Sequence, residues 1–539
     1  MLHSISTEDR VWDICVVGTG PVGMALALEF ERLGHDILVL ESGGMEVNPA
    51  LEEASRAEIV SPQNHAPMEI AVCRALGGTS WTWGGRCVPY DDVDWMPREY
   101  VANAHWPIGR EEIRPWYERA AEYMLCGSGI FSIPYKKKLT DGLMFDSVER
   151  WSWEQKLILW HRKHLLASER INLSLNSTVT NLDLSADGQR AESLTVRRRE
   201  RTYKVRARRF VLAMGGVETT RLLLYAQQSW PRNFGGVDGP LGRYYMGHLS
   251  GKIARIQFSK SVDFKDLDFT RDPCGSYHRR RLMLSAETQL KHKLLNTAFW
   301  ADNPNFYNPS HGSFALSAIY LALVFKATGR RLTSEGIRLA QIGPGGYPLS
   351  AHFRNLILGA PKGVWDLYKI LHDRFLNKPK KPLFMIRDRM GRYLLTYHAE
   401  QVPTTESRIK IGSKTDSFGV PRAVIDRHFS NQDAQSVVDS HDVLNGALQS
   451  NGLGRLEYLY PREQLCEQVF AQSVDGFHQV GTTRMGIDPA QSVVDPNLKV
   501  HGIENLYLAS SSVFPSAGQA NSTFEAVAFA LRLADYLKA

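Results

Sequence analysis

The chain has 539 residues, of which 43% are hydrophobic and 22% charged, a formal net charge of +7, and near-average numbers of glycine (43) and proline (25). This composition describes an ordinary globular protein of several structural units and excludes collagen-like and low-complexity chains. The six cysteines are scattered without a CxxC pair, which argues against a zinc ribbon, a thioredoxin motif and a disulfide framework. We therefore expect no metal site. Because residues 1–10 also lack an apolar leader, we expect a reducing, cytoplasmic location.

The first predicted elements are a strand, a turn, a helix and a second strand. The apolar run 13–17 (DICVV) predicts a buried strand, and the glycine-rich turn GTGPVG follows at 18–23. Residues 24–34 have helical spacing, and residues 35–40 predict a second strand that ends on Glu41. This order is a βαβ unit, the context that a dinucleotide-binding GxGxxG turn requires.

Each residue of this pattern has a physical role in binding a dinucleotide. Gly18 permits the tight turn, Gly20 lets the backbone approach a pyrophosphate, and Gly23 lets the helix pack against the strand. Glu41, 18 residues beyond the last glycine, can accept hydrogen bonds from ribose hydroxyls. The alternative is a tight turn between strand and helix that binds no ligand.

A second glycine-rich loop, at 74–86 (RALGGTSWTWGGR), favours FAD over NAD as the dinucleotide. Its two Gly-Gly pairs bracket a Thr, a Ser and two tryptophans, so backbone amides can lie along a large planar cofactor. The alternative is a surface loop, which the two tryptophans make less favourable.

The next segment predicts strands at 177–183 and 192–199, then a strand at 210–214 that returns to the first sheet before a helix at 217–227. We interpret the basic run 197–209 as a solvated hairpin of alternating charge. No nucleic-acid-binding motif accompanies it, so we expect no nucleic-acid partner.

Residues 251–465 predict a second domain that covers the cofactor, with strands at 254–258 and 393–398 beside helical stretches. Within it, residues 311–381 hold eleven Lys and Arg against three acidic residues, a net charge of +8, while the rest of the chain sums to −1. One basic segment of this kind indicates a weak docking contact with an interface or an acidic partner, a mouth that attracts an acidic substrate, or an ordinary solvated face.

The basic segment also contains the longest apolar run of the chain, at 314–325, and an amphipathic helix at 364–375. The run has twelve residues, fewer than the about 20 that span a membrane, so no transmembrane helix is predicted. We interpret the amphipathic helix as packed into the core with a solvated basic face. The alternative is a surface-seeking helix or a partner-docking lid.

The C-terminal region contains a second group of small residues suited to cofactor contact. It includes GFHQVGTTRMG at 476–486, a strand at 505–510 (NLYLAS) that runs into a glycine-rich loop, and a closing helix at 524–537. His478 and Asn521 lie 43 residues apart, each beside small residues that allow close approach.

Together these motifs resemble the glucose–methanol–choline family of FAD-dependent oxidoreductases. The resemblance covers residues 11–250 and 466–539, with weaker matches at 402–412 and 416–422. The stretch FHQVGTTRMG is most similar to pyranose 2-oxidase and related sugar oxidoreductases.

The resemblance implies an α/β protein whose Rossmann-like FAD-binding domain is built from both chain ends, residues 1–250 and 466–539. It also implies an α+β substrate-binding domain with a mixed or antiparallel sheet at 251–465, which carries the basic insertion 311–381.

The activity implied by the resemblance is oxidation of an alcohol on a sugar or glycoside, with a hydride passing to flavin N5. His478 would be the base that takes the hydroxyl proton, and Asn521 would hold the alcohol oxygen. We interpret His248 and His501, which also lie in matching stretches, as structural.

The resemblance further implies noncovalent FAD, because some sugar oxidases attach FAD to a histidine in the loop 77–84, which has none here. Ser510 also stands where many relatives have an aspartate. The implied cofactor-binding residues are Gly18, Gly20, Pro21, Val22, Gly23, Glu41, Gly77, Gly78, Thr79, Ser80, Trp83, Gly84, Val179, Ala213, Ser511, Ser522 and Thr523.

The electron acceptor stays open between O2 and a quinone or redox partner. A first alternative is a flavoprotein dehydrogenase subunit that docks at a membrane or cytochrome and oxidises another alcohol, such as a sterol or polyol. A second is a non-redox lyase on the same fold, and a third is an inactive FAD-binding scaffold. An anaerobic flavin-bleaching assay separates these classes.

Overall fold

The structure is a computed structural model that describes residues 10–333, 335–343, 345, 348–360, 362–388 and 390–538, with the backbone alone at 335–337 and 340. The strands are β1 Val11–Val17, β2 Ile37–Leu40, β3 Glu58–Ile59, β4 Arg86–Cys87, β5 Leu143–Met144, β6 Val148–Trp151, β7 Ile171–Ser174, β8 Thr178–Leu184, β9 Ala191–Arg198, β10 Arg201–Leu212, β11 His248–Phe258, β12 Thr270–Arg271, β13 Tyr277–Arg280, β14 Leu282–Leu284, β15 Thr297–Asp302, β16 Arg392–Glu400, β17 Arg408–Thr415, β18 Pro421–Asp426, β19 Gly454–Tyr458 and β20 Leu506–Leu508. The α-helices are α1 Pro21–Arg32, α2 Pro49–Glu52, α3 Met68–Ala71, α4 Asp92–Trp95, α5 Tyr117–Tyr123, α6 Leu157–Ala167, α7 Gly216–Gln227, α8 Phe264–Leu267, α9 Ala286–His292, α10 Phe314–Val324, α11 Lys326–Leu332, α12 Glu335–Ile342, α13 Leu349–Gly359, α14 Lys362–Leu371, α15 Asn431–Ser450, α16 Leu465–Gln472 and α17 Thr523–Leu537.

The glycine-rich turn belongs to a seven-stranded sheet with the strand order β7-β2-β1-β10-β9-β8, in which β20 pairs with the end of β10. Strands β1, β2, β7 and β20 run parallel to their neighbours, while β8 and β9 are antiparallel. All four residues of β2 are buried, as expected for a strand covered on both faces. Helix α1 packs against α17, so both ends of the chain build this layer.

A second sheet of six strands, β19-β11-β16-β15-β14-β5, is antiparallel throughout. It has its own core, against which α15 and α16 pack. Most of its strands come from the middle of the chain, but β5 comes from the first 250 residues. The sequence-derived domain limits fall inside β11 and at the first residue of α16.

Two smaller sheets connect distant parts of the chain. The first has the order β12-β13-β6-β4, and in the second β17 pairs with β18, which lies parallel to β3. In both sheets, strands from the first 160 residues pair with strands beyond residue 269. Backbone hydrogen bonds therefore join early and late segments of the chain in both small sheets.

Helices α10–α14 form an insertion between β15 and β16. The apolar run predicted at 314–325 becomes α10, whose side chains Leu316, Tyr320 and Leu323 pack into a small separate core with Phe306. Helices α13 and α14 pack on α10. No helix in the described ranges has the length and apolar character needed to cross a bilayer.

The amphipathic helix predicted at 364–375 is present as α14 and a following π-helical turn, but its apolar face is not packed into the core. Val364, Tyr368, Leu371 and Phe375 are 41–52% exposed. The interpretation of a core-packed helix is wrong, because the opposite, glycine-containing side of α14 faces α10. A Cβ on Gly363 would come within 2.1 Å of the Phe314 side chain.

Candidate active site

One cavity of about 1890 Å³ extends from the turn after β1 to His478 and Asn521, and on to the helical insertion. A pocket for one drug-sized molecule has about 300–1,000 Å³, so this volume can hold a dinucleotide and a substrate together. The walls come from the seven-stranded sheet, the six-stranded sheet and the C-terminal loops.

The turn after β1 is shaped for close packing on one side and open space on the other. Gly18 has a φ of +99°, in the left-handed region that glycine adopts freely. A Cβ on Gly23 would lie 2.0 Å from the Gly18 carbonyl oxygen, so the helix can approach the turn only because residue 23 is glycine. A Cβ on Gly20 would meet nothing within 4 Å. Helix α1 begins at Pro21 with no side-chain cap, which leaves its first N–H groups for an anion such as a pyrophosphate.

Glu41 follows β2 and lies on the wall of the cavity, buried beside the turn. Its Oε2 accepts hydrogen bonds from the backbone N–H of Thr19 (2.9 Å) and from the Thr19 hydroxyl (2.6 Å), and its Oε1 accepts one from the Gly43 N–H (2.7 Å). Burial raises the pKa of Glu41, and these hydrogen bonds oppose the rise. The carboxylate is thus held in place at the position where the fingerprint puts a ribose.

The second glycine-rich loop contacts the first. Gly77 and Gly78 have positive φ values of +99° and +53°, and they lead into a 3₁₀ turn over Gly78–Trp81. A Cβ on Gly78 would lie 2.6 Å from the Cα of Gly20, so the two loops touch through their backbones. The cavity runs along both loops, and this part of it, which we call the channel, suits a long, planar cofactor.

The structure brings almost all of the sequence-predicted cofactor residues to this cavity. The exceptions are Gly23, which packs against Gly18, and Gly77, whose added Cβ would meet the side chain of Ile158. The cavity wall includes Gly18, Gly20, Pro21, Val22, Glu41, Gly78, Thr79, Ser80, Trp83, Gly84, Val179, Ala213, Ser511, Ser522 and Thr523. Ser510 also lines it, and its hydroxyl bonds Ser512 Oγ at 2.6 Å. The channel, the uncapped helix and the acidic residue fit a dinucleotide cofactor such as FAD.

His478 lies at the other end of the cavity, with both ring nitrogens engaged. Its Nδ1 lies 3.0 Å from Asp475 Oδ2, and its Nε2 lies 2.7 Å from Asn521 Nδ2. A carboxylate accepts and an amide NH2 donates, so this pairing fits the neutral tautomer with hydrogen on Nδ1 and a lone pair on Nε2. The two residues that the sequence singled out, 43 positions apart, therefore form one hydrogen-bonded pair.

Asp475, which the sequence analysis did not identify, fixes the turn that carries His478. Its Oδ1 accepts from the N–H groups of Gly476 (2.7 Å), Phe477 (2.9 Å) and His478 (3.2 Å), and its Oδ2 also accepts from the His248 N–H (2.8 Å). Burial alone would raise the pKa of Asp475, but the neighbouring His478 and the hydrogen bonds from His248 and His478 hold it well below its usual range. The residue is therefore an anion that orients the ring.

Two further histidines surround His478. The ring of His248 is stacked on that of His398 at 4.2 Å and lies edge-on to His478 at 4.6 Å. Burial lowers the pKa of His248 to about 4. Burial, with the nearby Arg86 cation, holds the pKa of His398 well below its usual range. Both rings are thus neutral at physiological pH. His501 lies elsewhere, with Nε2 2.9 Å from Ser492 Oγ.

Another part of the cavity wall is aromatic and cationic. The guanidinium carbons of Arg86 and Arg279 lie over the Trp300 ring, 4.6 and 4.9 Å from its centroids. Both arginines pair with the buried Glu149, and His398 and Thr396 complete this part of the wall. An aromatic side chain among hydrogen-bonding groups suits a ligand that carries hydroxyl groups.

Three residues of this site were missed in the sequence analysis, and only one of them has a sequence feature that could have identified it. Asp475 precedes His478 by three positions, and that spacing in a turn could have suggested its role. His398 and Trp300 belong to β16 and β15 and reach the site only through the pairing of those strands, in which Trp300 lies opposite Thr396. No local motif marks them.

Comparisons with known proteins agree with this geometry. A family model described as GMC oxidoreductase matches residues 403–530, which include His478 and Asn521. The chain is 23% identical to paromamine 6'-oxidase of Streptomyces fradiae over 98% of this chain and 91% of that protein. It is 34% identical to pyranose 2-oxidase of Tricholoma matsutake over 122 residues, 22% of this chain and 20% of the relative.

Among solved structures, that of pyridoxine 4-oxidase from Mesorbium loti matches 97% of this chain and 99% of its own, with a TM-score of 0.53 and 16% identity. This likeness shows the fold. Residues 403–530 therefore match the GMC oxidoreductase model, and the chain as a whole is similar to a full-length oxidase, which places its likenesses among FAD-dependent oxidoreductases that act on CH–OH groups.

Proposed function

We propose that this enzyme oxidises a hydroxyl group of a sugar or glycoside to a carbonyl, with noncovalently bound FAD. The observation that carries the proposal is the position of His478. Its Nε2 lies 2.7 Å from Asn521 at the end of the channel that begins at the dinucleotide turn. When bound, the flavin supplies the acceptor for the hydride that leaves the carbinol carbon.

The protein's own residues handle the proton. An alcohol whose oxygen approaches the pair replaces the contact between His478 and Asn521, donates its hydroxyl hydrogen to Nε2 and accepts a hydrogen bond from the asparagine amide. As the proton moves to Nε2, the ring becomes a cation, and the Asp475 carboxylate 3.0 Å from Nδ1 stabilises that charge. Neutral His248 and His398 add no opposing charge.

The sugar assignment is supported by the shape and polarity of the wall and by the relatives. Trp300 lines the cavity with Arg86 and Arg279 over its ring, and the matched relatives include a paromamine 6'-oxidase and a pyranose 2-oxidase. The noncovalent assignment is supported by the loop 77–84, which offers no histidine for attachment. We leave O2 and a quinone or redox partner as alternative acceptors.

The test is to mix the flavin-containing enzyme anaerobically with sugars, glycosides and non-sugar alcohols and to follow flavin absorbance. Bleaching by sugars or glycosides is expected, and recovery in air identifies an oxidase. Bleaching by non-sugar alcohols alone would contradict the sugar assignment, and no bleaching by any alcohol would favour the lyase or scaffold alternatives.

Variants test the catalytic roles that we propose for His478 and Asn521. His478→Ala should retain FAD and reduce it about 10²–10⁴-fold more slowly. Asn521→Ala should slow reduction as well. His501→Ala is the matched control, because that histidine bonds Ser492 outside the cavity. Reduction of the His478→Ala enzyme at the wild-type rate would overturn the assignment.

A further inference from the structure

The outer helices of the insertion expose an unusual amount of apolar surface. On α13, Phe353 and Ile357 are 53% and 77% exposed, on α14 Trp365 is 60% exposed, and Leu376 beyond it is 70% exposed. The inward sides of both helices face α10, where Gly359 and Gly363 approach Phe314 closely. The outward sides have no packing partner among the described residues.

Helices α13 and α14 and the residues that follow them also carry exposed positive charge. Arg354, Lys362, Lys369, Lys378 and Lys380 are all exposed. They belong to the segment 311–381, whose net charge is +8 in a chain whose other residues sum to −1. The apolar side chains and the cations therefore share one surface.

We propose that the outer face of helices α13 and α14, with the residues up to 381, is a docking surface for an anionic lipid bilayer. Charge complementarity argues for this partner, because a bilayer rich in acidic lipids attracts a basic segment and accepts its apolar side chains at the boundary between headgroups and acyl chains. Trp365 and Tyr368, whose rings stack at 5.4 Å, are of the residue types that concentrate at that boundary.

The proposal also explains where the insertion stands relative to the cavity. Its residues Arg331, Phe375, Lys378 and Lys380 line the same cavity as His478. Docking would bring the cavity mouth to the membrane surface, and a substrate held there could enter directly. That last step rests on the proposed function, whereas the docking itself does not.

The experiment is flotation of the flavin-containing enzyme, without substrate, on vesicles of phosphatidylcholine alone or mixed with phosphatidylglycerol, at low and at physiological salt. We expect binding to the mixed vesicles at low salt, weaker binding at physiological salt, where the Debye length is about 8 Å, and at least about tenfold weaker binding to neutral vesicles. Flavin absorbance and thermal unfolding verify that each variant is folded.

Two pairs of variants, each with a matched control, test the cationic and the apolar side chains of the docking surface. Replacing Arg354, Lys362 and Lys369 with Gln should weaken binding by roughly 100-fold, since each of the three cations near an anionic surface contributes about fivefold. The control is the Arg199, Arg201 and Arg206→Gln variant, which removes three exposed cations from the β9–β10 hairpin.

For the apolar component, the test variant is Ile357, Leu358 and Trp365→Ser. Its control is Ile130, Val237 and Ile487→Ser, because those side chains are 62–71% exposed elsewhere on the surface. We expect the first variant to lose flotation and the control to keep it. None of these residues lines the cavity, so flavin reduction by an alcohol without vesicles should be unchanged in all of them.

Several outcomes would overturn the proposal. They are no flotation of the wild type at low salt, equal loss in test and control variants, or a dimer that forms without vesicles and that the Ile357, Leu358 and Trp365→Ser variant abolishes. Salt-sensitive retention on immobilised polyglutamate without flotation would assign the face to an acidic protein. Failure of the flavin to bleach with any alcohol would instead count against the proposed function and leave the docking result standing.

Discussion

Asp475 and His478 form a carboxylate–imidazole pair within a single turn, 3.0 Å apart through Oδ2 and Nδ1. The same carboxylate accepts from three successive backbone N–H groups at 476–478 through its other oxygen. The group that sets the tautomer of the imidazole is therefore also the group that shapes the backbone beneath it. A substitution of Asp475 should therefore affect both the imidazole tautomer and the backbone of the turn.

The first prediction concerns that pair. Asp475→Asn removes the negative charge that stabilises the protonated ring, so flavin reduction should slow roughly 10- to 1000-fold while FAD stays bound. Rapid-mixing measurements of flavin reduction, with substrate affinity determined separately, provide the check. Asp426→Asn is the control, because Asp426 pairs with His428 at 2.7 Å away from the cavity. Equal rates for wild type and Asp475→Asn would remove the positioning role.

The second prediction concerns how the cofactor is held. Acid or heat denaturation should release FAD into the supernatant, because the loop 77–84 offers no histidine for attachment. Gly20→Val should lower the FAD content of the purified protein, since the added side chain would project into the open space beside the turn. Gly109→Val also places its side chain in open space, outside the cavity, and should keep full flavin content. Yellow colour that remains with the denatured chain would refute noncovalent binding.

The third prediction concerns the three histidines, each of which has a ring nitrogen within 4.8 Å of the others. We expect flavin reduction to survive dialysis against a chelator. His478 already uses both nitrogens on Asp475 and Asn521, and His398 Nδ1 donates to the Gln519 carbonyl, so the rings do not offer three free lone pairs to one ion. Activity that is lost on chelation and restored by a divalent metal would show that the cluster is a metal site.

The fourth prediction uses Glu525, which is fully buried on α17. Burial raises its pKa from 4.5 to about 7, against hydrogen bonds from the Tyr90 N–H (3.2 Å) and the Tyr117 hydroxyl (3.0 Å). Because the folded state holds a proton that the unfolded state releases between these values, stability falls as pH rises through that window, by about 3 kcal/mol once both states are ionised.

Glu525→Gln removes this dependence. Its free energy of unfolding minus that of wild type should be about 3 kcal/mol larger at pH 8 than at pH 4, as measured by denaturant titration at both values. Glu122→Gln, an exposed change on the neighbouring helix α5, is the control and should show no such difference. Parallel pH profiles for wild type and Glu525→Gln would contradict the raised pKa.

The parts of the site that the sequence predicted are those encoded by local geometry. Gly18, Gly23 and Glu41 lie as expected because a βαβ turn determines their positions within about 25 residues. His478 and Asn521 are distant in sequence, and only the family motif joins them. Their neighbour His398 could not be found this way, because its place depends on the register of β16 against β15 and β11.

The helical insertion shows another limit of prediction from sequence, which concerns the orientation of a helix. An amphipathic pattern fixes which side of a helix is apolar, but the same pattern fits a helix that buries that side and one that exposes it. In α14, the buried residues are Gly363, which carries no hydrophobic signal and approaches Phe314, and Ile370. The apolar positions Val364, Tyr368 and Leu371 are exposed instead.

The pairing of β20 with the end of β10 has a consequence for truncated forms of the protein. The three residues Leu506–Leu508 join strands made some three hundred residues earlier, and Asn521 follows them by only a short loop. The residues just after β20, including Ser511 and Asn521, line the cavity. A variant truncated before Leu506 would lack this part of the cavity wall, and we expect it not to retain flavin.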